Sequence, residues 1–290
     1  GKYSAVFGLS SGFSGLKNLT IGTAMTIGIF GFNNYLRGVT KILSPFNPEA
    51  KEMRQYFKKL GLPQVGTKEL EITGPIAFWM KFASWMTPTE AANRMVGSYS
   101  GLLYAETLVD RLQGKTWLPK DWSKKRAIEE LKEKFELTKA EIHDLEIHGI
   151  RRNGSLLEPG SLKTRVGNTV NDIRDKILHY GQIITQGSTA ESYLPLWWSN
   201  ENVQAATLFY RMAYSGTYNV MKHIYKPIMK RGDLLPLIRH TFAGAVGGQA
   251  LWSLYSAVMG QESPKEQEWD KLKQGVKDRD PKQVAANLLP

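Results

Sequence analysis

The stretch "TPTEAANRMVGSYSGLLYAETL", Thr87 to Leu108, decides the fold class. Its first four residues spell a helix start: Thr87 as N-cap, Pro88 at the first helical position, Glu90 at the third. The Thr side chain and the Glu carboxylate satisfy backbone N–H groups that a helix start leaves bare, and proline has no N–H to lose there. Gly97 and Gly101 follow, four apart and therefore on one face, where the lack of a side chain lets another helix come close. The same grammar recurs along the chain. "TKAE" at Thr138–Glu141 is a capping box, "SPKE" and "DPKQ" at Ser263 and Asp280 repeat the proline form, and "NPEA" at Asn47 is a weaker version.

Stop signals agree. Gly61, Gly114, Gly149, Gly181 and Gly232 each follow a periodic run and suit the left-handed residue that closes many helices. Helices are expected near 14–37, 48–60, 74–86, 88–113, 123–135, 139–148, 161–180, 201–230, 234–260, 264–276 and 281–289. No segment alternates as a strand would. The expected fold is all-α: a multi-helix, elongated or bundle-like chain. Residues 1–114 form an N-terminal helical half, 115–160 a small charged helical insert, 161–262 a C-terminal apolar half, and 263–290 short capped helices leading into a continuation. The ending "VAANLLP" reads as a helix cut short, so a segment of a longer polypeptide is expected.

Two windows lack any charged residue: Asn18–Leu36, "NLTIGTAMTIGIFGFNNYL", and His240–Gly260, "HTFAGAVGGQALWSLYSAVMG". Each has roughly the length of ~20 residues that a bilayer span needs. Neither is apolar enough for simple insertion, since asparagines, threonines, glycines, a glutamine and a histidine interrupt them. Burial in a helical core is the favoured reading over a permanent span. Gly22 and Gly28 in the first window, and Gly244, Gly248 and Trp252 in the second, are the expected positions of helix packing or membrane contact, together with Gly97 and Gly101.

The net charge of +11 concentrates in residues 1–60 and 181–240. In "RMAYSGTYNVMKHIYKPIMKRG", Tyr214, Tyr218, Lys222, Lys226 and Lys230 fall four apart, with Arg231 next. Lys222, Lys226, Lys230 and Arg231 are the candidates for contact with a polyanion, DNA or lipid headgroups. A solvated lysine face over a helix kinked at Pro227 explains the same pattern. The pair Trp197–Trp198 suits either a core plug or an aromatic membrane anchor.

Chemistry finds little footing. Cysteine is absent, which removes disulfides and thiolate ligands. His143 and His148 are five apart and fall on different helix faces, and His179, His223 and His240 are isolated. "GAVGGQ" has close glycines but neither a preceding strand nor a Lys-Ser/Thr, so it makes no phosphate loop. Carboxylate pairs such as those in "EELKEKFE" are accounted for by Glu/Lys spacing on a helix. No catalytic residue, metal site or cofactor is expected.

Four passages, taken in order, resemble a known class: "FGLSSGFSGLKNLTIG", "TPTEAANRMVGSYSGLLYAETL", "ITQGSTAESYLPLWWSNENVQAATLFYRMAYSGTYNVMKHI" and "GDLLPLIRHTFAGAVGGQALWSLYSAVMG". They are similar to a helical region of large polyvalent phage proteins, internal virion or ejection proteins carried in the particle and injected with the genome. The resemblance spans roughly residues 5–260, and its collinear order carries more weight than any single word. It implies a non-enzymatic segment that oligomerises and helps form a DNA-delivery conduit across the host envelope. Implied partners are further copies, other virion proteins (portal, tail or other ejection proteins), phage DNA and the host membrane. The implied location is the virion interior, then the host envelope. A structural virion protein packed at portal or tail, and a two-span membrane protein, are the alternatives.

Overall fold

The computed structural model describes residues 12–44, 48–60, 86–116, 120–151, 170–186 and 216–259; at some element ends, at Trp252 and over 255–259 it describes the backbone alone. Every described element is a helix, and no strand occurs among the described residues. In chain order they are α1 (Gly12–Phe30), α2 (Phe32–Leu43), α3 (Pro48–Lys59), α4 (Met86–Leu112), α5 (Lys120–Phe135), α6 (Lys139–His148), α7 (Val170–Gln186), α8 (216–231) and α9 (Leu235–Met259). The protein is all-α.

The chain divides into two compact units, Gly1–Gly244 and Ala245–Pro290. In the first, α4 is the hub, touched by α1, α2, α5, α6 and α7. The reason lies in its small residues. A Cβ on Gly101 would stand 3.0 Å from the Cα of Gly181 on α7 and 3.2 Å from the Phe30 ring on α1. One on Gly97 would collide with Thr185, and one on Gly38 of α2 would come within 2.6 Å of the Ser100 hydroxyl. Three helices thus approach α4 closely through glycine and serine, and larger residues fill the space around these crossings. Leu102, Leu103, Leu108, Leu112, Phe30 and Phe135 are essentially sealed from water. Each such side chain contributes about 1.5–3 kcal/mol relative to exposure.

Gly181 is thereby corrected from a helix stop to a packing residue inside α7. Its missing side chain serves the crossing, and α7, described from Val170, runs on to Gln186; residues 161–169 of the expected helix lie outside the described residues. The other described stops behave as read. Gly149 (φ 72°) caps α6, and Gly232 (φ 66°) ends α8 in the left-handed region, its N–H donating to the carbonyls of Ile228 and Pro227. At Thr138 the capping box is formed in both directions: Thr138 Oγ1 accepts from the Glu141 N–H (3.3 Å), and Glu141 Oε2 accepts from the Thr138 N–H (2.6 Å). α4 begins at Met86, which places Thr87 and Pro88 in its first turn. Gly61, the Asn47, Ser263 and Asp280 caps, Trp197–Trp198 and the helices expected at 74–86, 264–276 and 281–289 lie outside the described residues, apart from Met86 itself.

The window Asn18–Leu36 is not one helix. Gly31, at φ 88°, breaks it into α1 and α2, a conformation that favours glycine. The polar residues that made the window a poor membrane span are used at this corner. Asn34 Nδ2 donates to the carbonyl of Phe30 (2.9 Å), Thr26 to that of Gly22 (2.7 Å), and the Thr23 hydroxyl pairs with that of Tyr35 (3.0 Å). Ala24 to Phe30 are all buried. The stretch Ala24–Gly31 of this window is core, while Ile21, Phe32 and Leu36 are exposed.

The charged stretch 115–160 is, in its described part, a face of the same core. Ala127, Leu131 and Phe135 of α5 and Leu145 of α6 are fully buried, and the Phe135 ring stacks on Phe30 at 6.1 Å. In the second unit the helix of α9 continues from Ala245 to Met259, with Val246 and Leu254 exposed.

Candidate functional site: a basic cleft around a π turn

α8 carries the lysine stripe, and its middle, Met221–Tyr225, is a π turn: the Lys226 N–H donates to the carbonyl of Met221. Pro227 supplies the physical cause. It has no N–H for the carbonyl of His223, and in a regular α-helix its ring would press on that carbonyl. Widening the turn just before the proline relieves the clash, where the sequence suggested a kink. Such turns are concentrated at functional sites.

The stripe does not stand free. Lys222 lies 3.7 Å from Glu136 and 5.7 Å over the Tyr218 ring, Lys230 bonds Glu133 at 2.8 Å, and Arg231 reaches Glu129 (3.6 Å) and Glu133 (3.9 Å). The acidic edge of α5, with carboxylates at 129 and 133, continues into Glu136 just past the helix end and faces the basic edge of α8. These glutamates were read as support for their own helix; most of their partners prove to sit on another one. Burial alone would raise the Glu133 carboxyl, but Lys230, Arg231 and Lys226 hold it below its usual range. Three of the four polyanion candidates are thus engaged within the chain. Lys226 has no carboxylate in ion-pair reach among the described residues.

Beneath this edge lies a polar network that no local motif announces. Glu130 accepts from the Tyr104 hydroxyl and from Arg126 Nε (3.0 Å), and Arg126 also pairs with Asp233. Burial pushes the Tyr104 phenol up, and the Glu130 carboxylate beside it pushes the same way. Lys134 is buried with its ammonium 5.3 Å over the Tyr104 ring and 3.5 Å from the carbonyl of Ile29. Its pKa is lowered by burial, against the pull of Glu130. His223, buried on α8, is held well below the ordinary imidazole range by burial and by the ammonium groups of Lys134, Lys222 and Lys226. Its Nε2 is buried without a hydrogen-bond partner, as is Nε of Arg231. Between α5 and α8 opens a cleft of about 190 Å³ lined by Lys132, Lys134, Lys222, His223, Lys226 and Arg231, with Glu133, Glu136 and Pro227.

The packing candidates separate into two groups. Gly22, Gly28, Gly97 and Gly101 are buried, and a Cβ on Gly28 would meet the Cβ of His240 at 2.8 Å. That contact, the 3.2 Å bond between His240 Nδ1 and the carbonyl of Ala24, and the packing of Ala243 on Ala24 and Ile27 join the start of the second window, within the first unit, to the first window. Gly244 only touches Ala24, and a Cβ on Gly248, in the second unit, would meet nothing within 4 Å among the described residues. The Trp252 side chain lies outside the described residues. Among the described residues no helix is long and apolar enough to cross a membrane, and no three metal-ligating side chains cluster. No family model, curated protein or solved structure matches the chain.

Proposed function

We propose that this chain is a non-enzymatic helical segment of a phage internal virion (ejection) protein that assembles with copies of itself to help carry DNA across the host envelope. The order of its motifs supports the class, and one surface observation carries the assembly. On the first unit, Leu235, Ile238 and Phe242 recur at spacings of three and four along α9, and Met221, Tyr225 and Met229 at four along α8. All six are exposed, Met229 at 86% and Phe242 at 68%. Side chains this exposed gain little from the folding of the single chain. Contiguous apolar surface of this kind marks a partner interface. Locally capped helices also re-form their own turns after passage through a narrow portal without waiting for distant parts of the chain.

A second reading is favoured by the burial of Ala24–Gly31 in the Asn18–Leu36 window: a structural virion protein packed against portal or tail, its uncharged windows serving only as core and joints. Dye release from anionic vesicles separates the two. The conduit reading predicts release that is abolished by Ile238→Glu with Phe242→Glu. Assembly without release supports the structural reading, and neither assembly nor release overturns both.

A further inference from the structure

The cleft between α5 and α8 holds more cation than it needs for joining the two helices. Five ammonium or guanidinium groups line it against two carboxylates, and those carboxylates are already engaged by Lys222, Lys230 and Arg231. Neither Lys132 nor Lys226 has a carboxylate in ion-pair reach among the described residues. His223 adds a buried Nε2 with no partner, its side chain 3% exposed, and Arg231 adds a buried Nε in the same condition. Buried polar atoms are nearly always satisfied, and one that is not points to a water or an ion. Like charges gathered at a recess call for an anion, since a buried or half-buried cation without a counter-charge is costly.

We propose that this cleft is a binding site for one small phosphate-type oxyanion, held by Lys132, Lys226, Arg231 and the imidazole of His223. Volume sets the class. At about 190 Å³ the recess falls below the ~300–1,000 Å³ of sites that enclose drug-sized ligands, and its size suits a phosphate or the end of a phosphomonoester. The π turn has a part in this: it widens α8 at the segment that carries Lys222 and His223, beside Lys226. Neutral His223 can donate from Nε2 without adding a further charge among the lysines. An anion seated there would also favour its protonation. The groups that bear on the imidazole are Lys134 from α5 and Lys222 and Lys226 from α8; Glu133 of α5 and Glu136, just past its end, line the same recess. The site shares α8 with one of the apolar edges but uses none of the six residues named there.

The test follows the His223 ring resonances by NMR while inorganic phosphate is added to the full chain at constant ionic strength. The expected result is a saturable shift with a raised His223 pKa, absent when chloride replaces phosphate. Lys132→Gln with Lys226→Gln weakens the saturation at least about tenfold, the loss of two charged hydrogen bonds. Lys115→Gln, an exposed lysine near Asp110, leaves it unchanged. A parallel titration with glycerol phosphate identifies the occupant: saturation by both anions indicates a phosphomonoester site, saturation by phosphate alone a site for the free ion. If the double variant fails to fold by circular dichroism, Lys226→Gln alone decides. The proposal is overturned by a linear, unsaturating shift, by one matched at exposed His148, or by equal binding in the lysine variants.

Discussion

Replacing Gly181 by alanine tests the architecture at its tightest point. The new methyl would lie 3.1 Å from the carbonyl oxygen of Ser98, 3.2 Å from that of Gly97 and 3.2 Å from the Cα of Ser98. All three are backbone atoms of α4, so no rotamer change relieves the contact and α7 must lift by a few tenths of an ångström. Overpacking of this kind costs about 1–3 kcal/mol. Against it stands the better helix propensity of alanine, about 1 kcal/mol. The expected net is a loss of about 1 kcal/mol. Gly248→Ala is the matched control: it has the same propensity gain with nothing within 4 Å to obstruct it, so it should stabilise its own helix by up to about 1 kcal/mol. Urea unfolding monitored by circular dichroism, with equal m-values for the two variants, reads the difference. If Gly181→Ala stabilises as much as Gly248→Ala, helices α4 and α7 do not cross where described, and the role given to glycine in this fold is wrong.

Three further outcomes follow from named contacts. Phe135→Ala, which empties a sealed site stacked on Phe30, is expected to cost about 3–5 kcal/mol in urea, a loss too large for a solvated insert. Thr138→Ala removes the side-chain acceptor of the α6 capping box and should cost about 1 kcal/mol by the same assay. Stability should also fall as pH drops below 6.5. There the unfolded chain's histidine takes up a proton that buried native His223 refuses, and the loss continues down to the native pKa. His223→Gln should flatten this part of the profile measured by thermal melts, and an unchanged slope would remove His223 from the account.

Local grammar carried the sequence reading a long way. The capping box at Thr138 and the stops at Gly149 and Gly232 depend only on neighbours in the chain, and α3, α5 and α6 came out close to their expected bounds. Glycine was the ambiguous letter. Gly31 bends the chain, Gly181 admits another helix and Gly232 ends one, and only contacts from distant residues tell these uses apart. The site shows the same division. Four-residue spacing marked Lys222, Lys226 and Lys230 as one stripe, but nothing local says that Glu129, Glu133 and Glu136 lie across from it. His223 looked isolated because its neighbour Lys134 is far away in sequence. The Pro227 signal was visible, but nothing in the local sequence announced the π turn that precedes it.

The most direct measurement of the central claim is sedimentation velocity of the chain with and without Ile238→Glu and Phe242→Glu. If the exposed edge of α9 joins copies, the unmodified chain sediments as an oligomer whose population rises with concentration. The double variant then sediments as a monomer with an unchanged melting curve. A wild-type chain that remains monomeric at every concentration, or an oligomer indifferent to both glutamates, would contradict the claim.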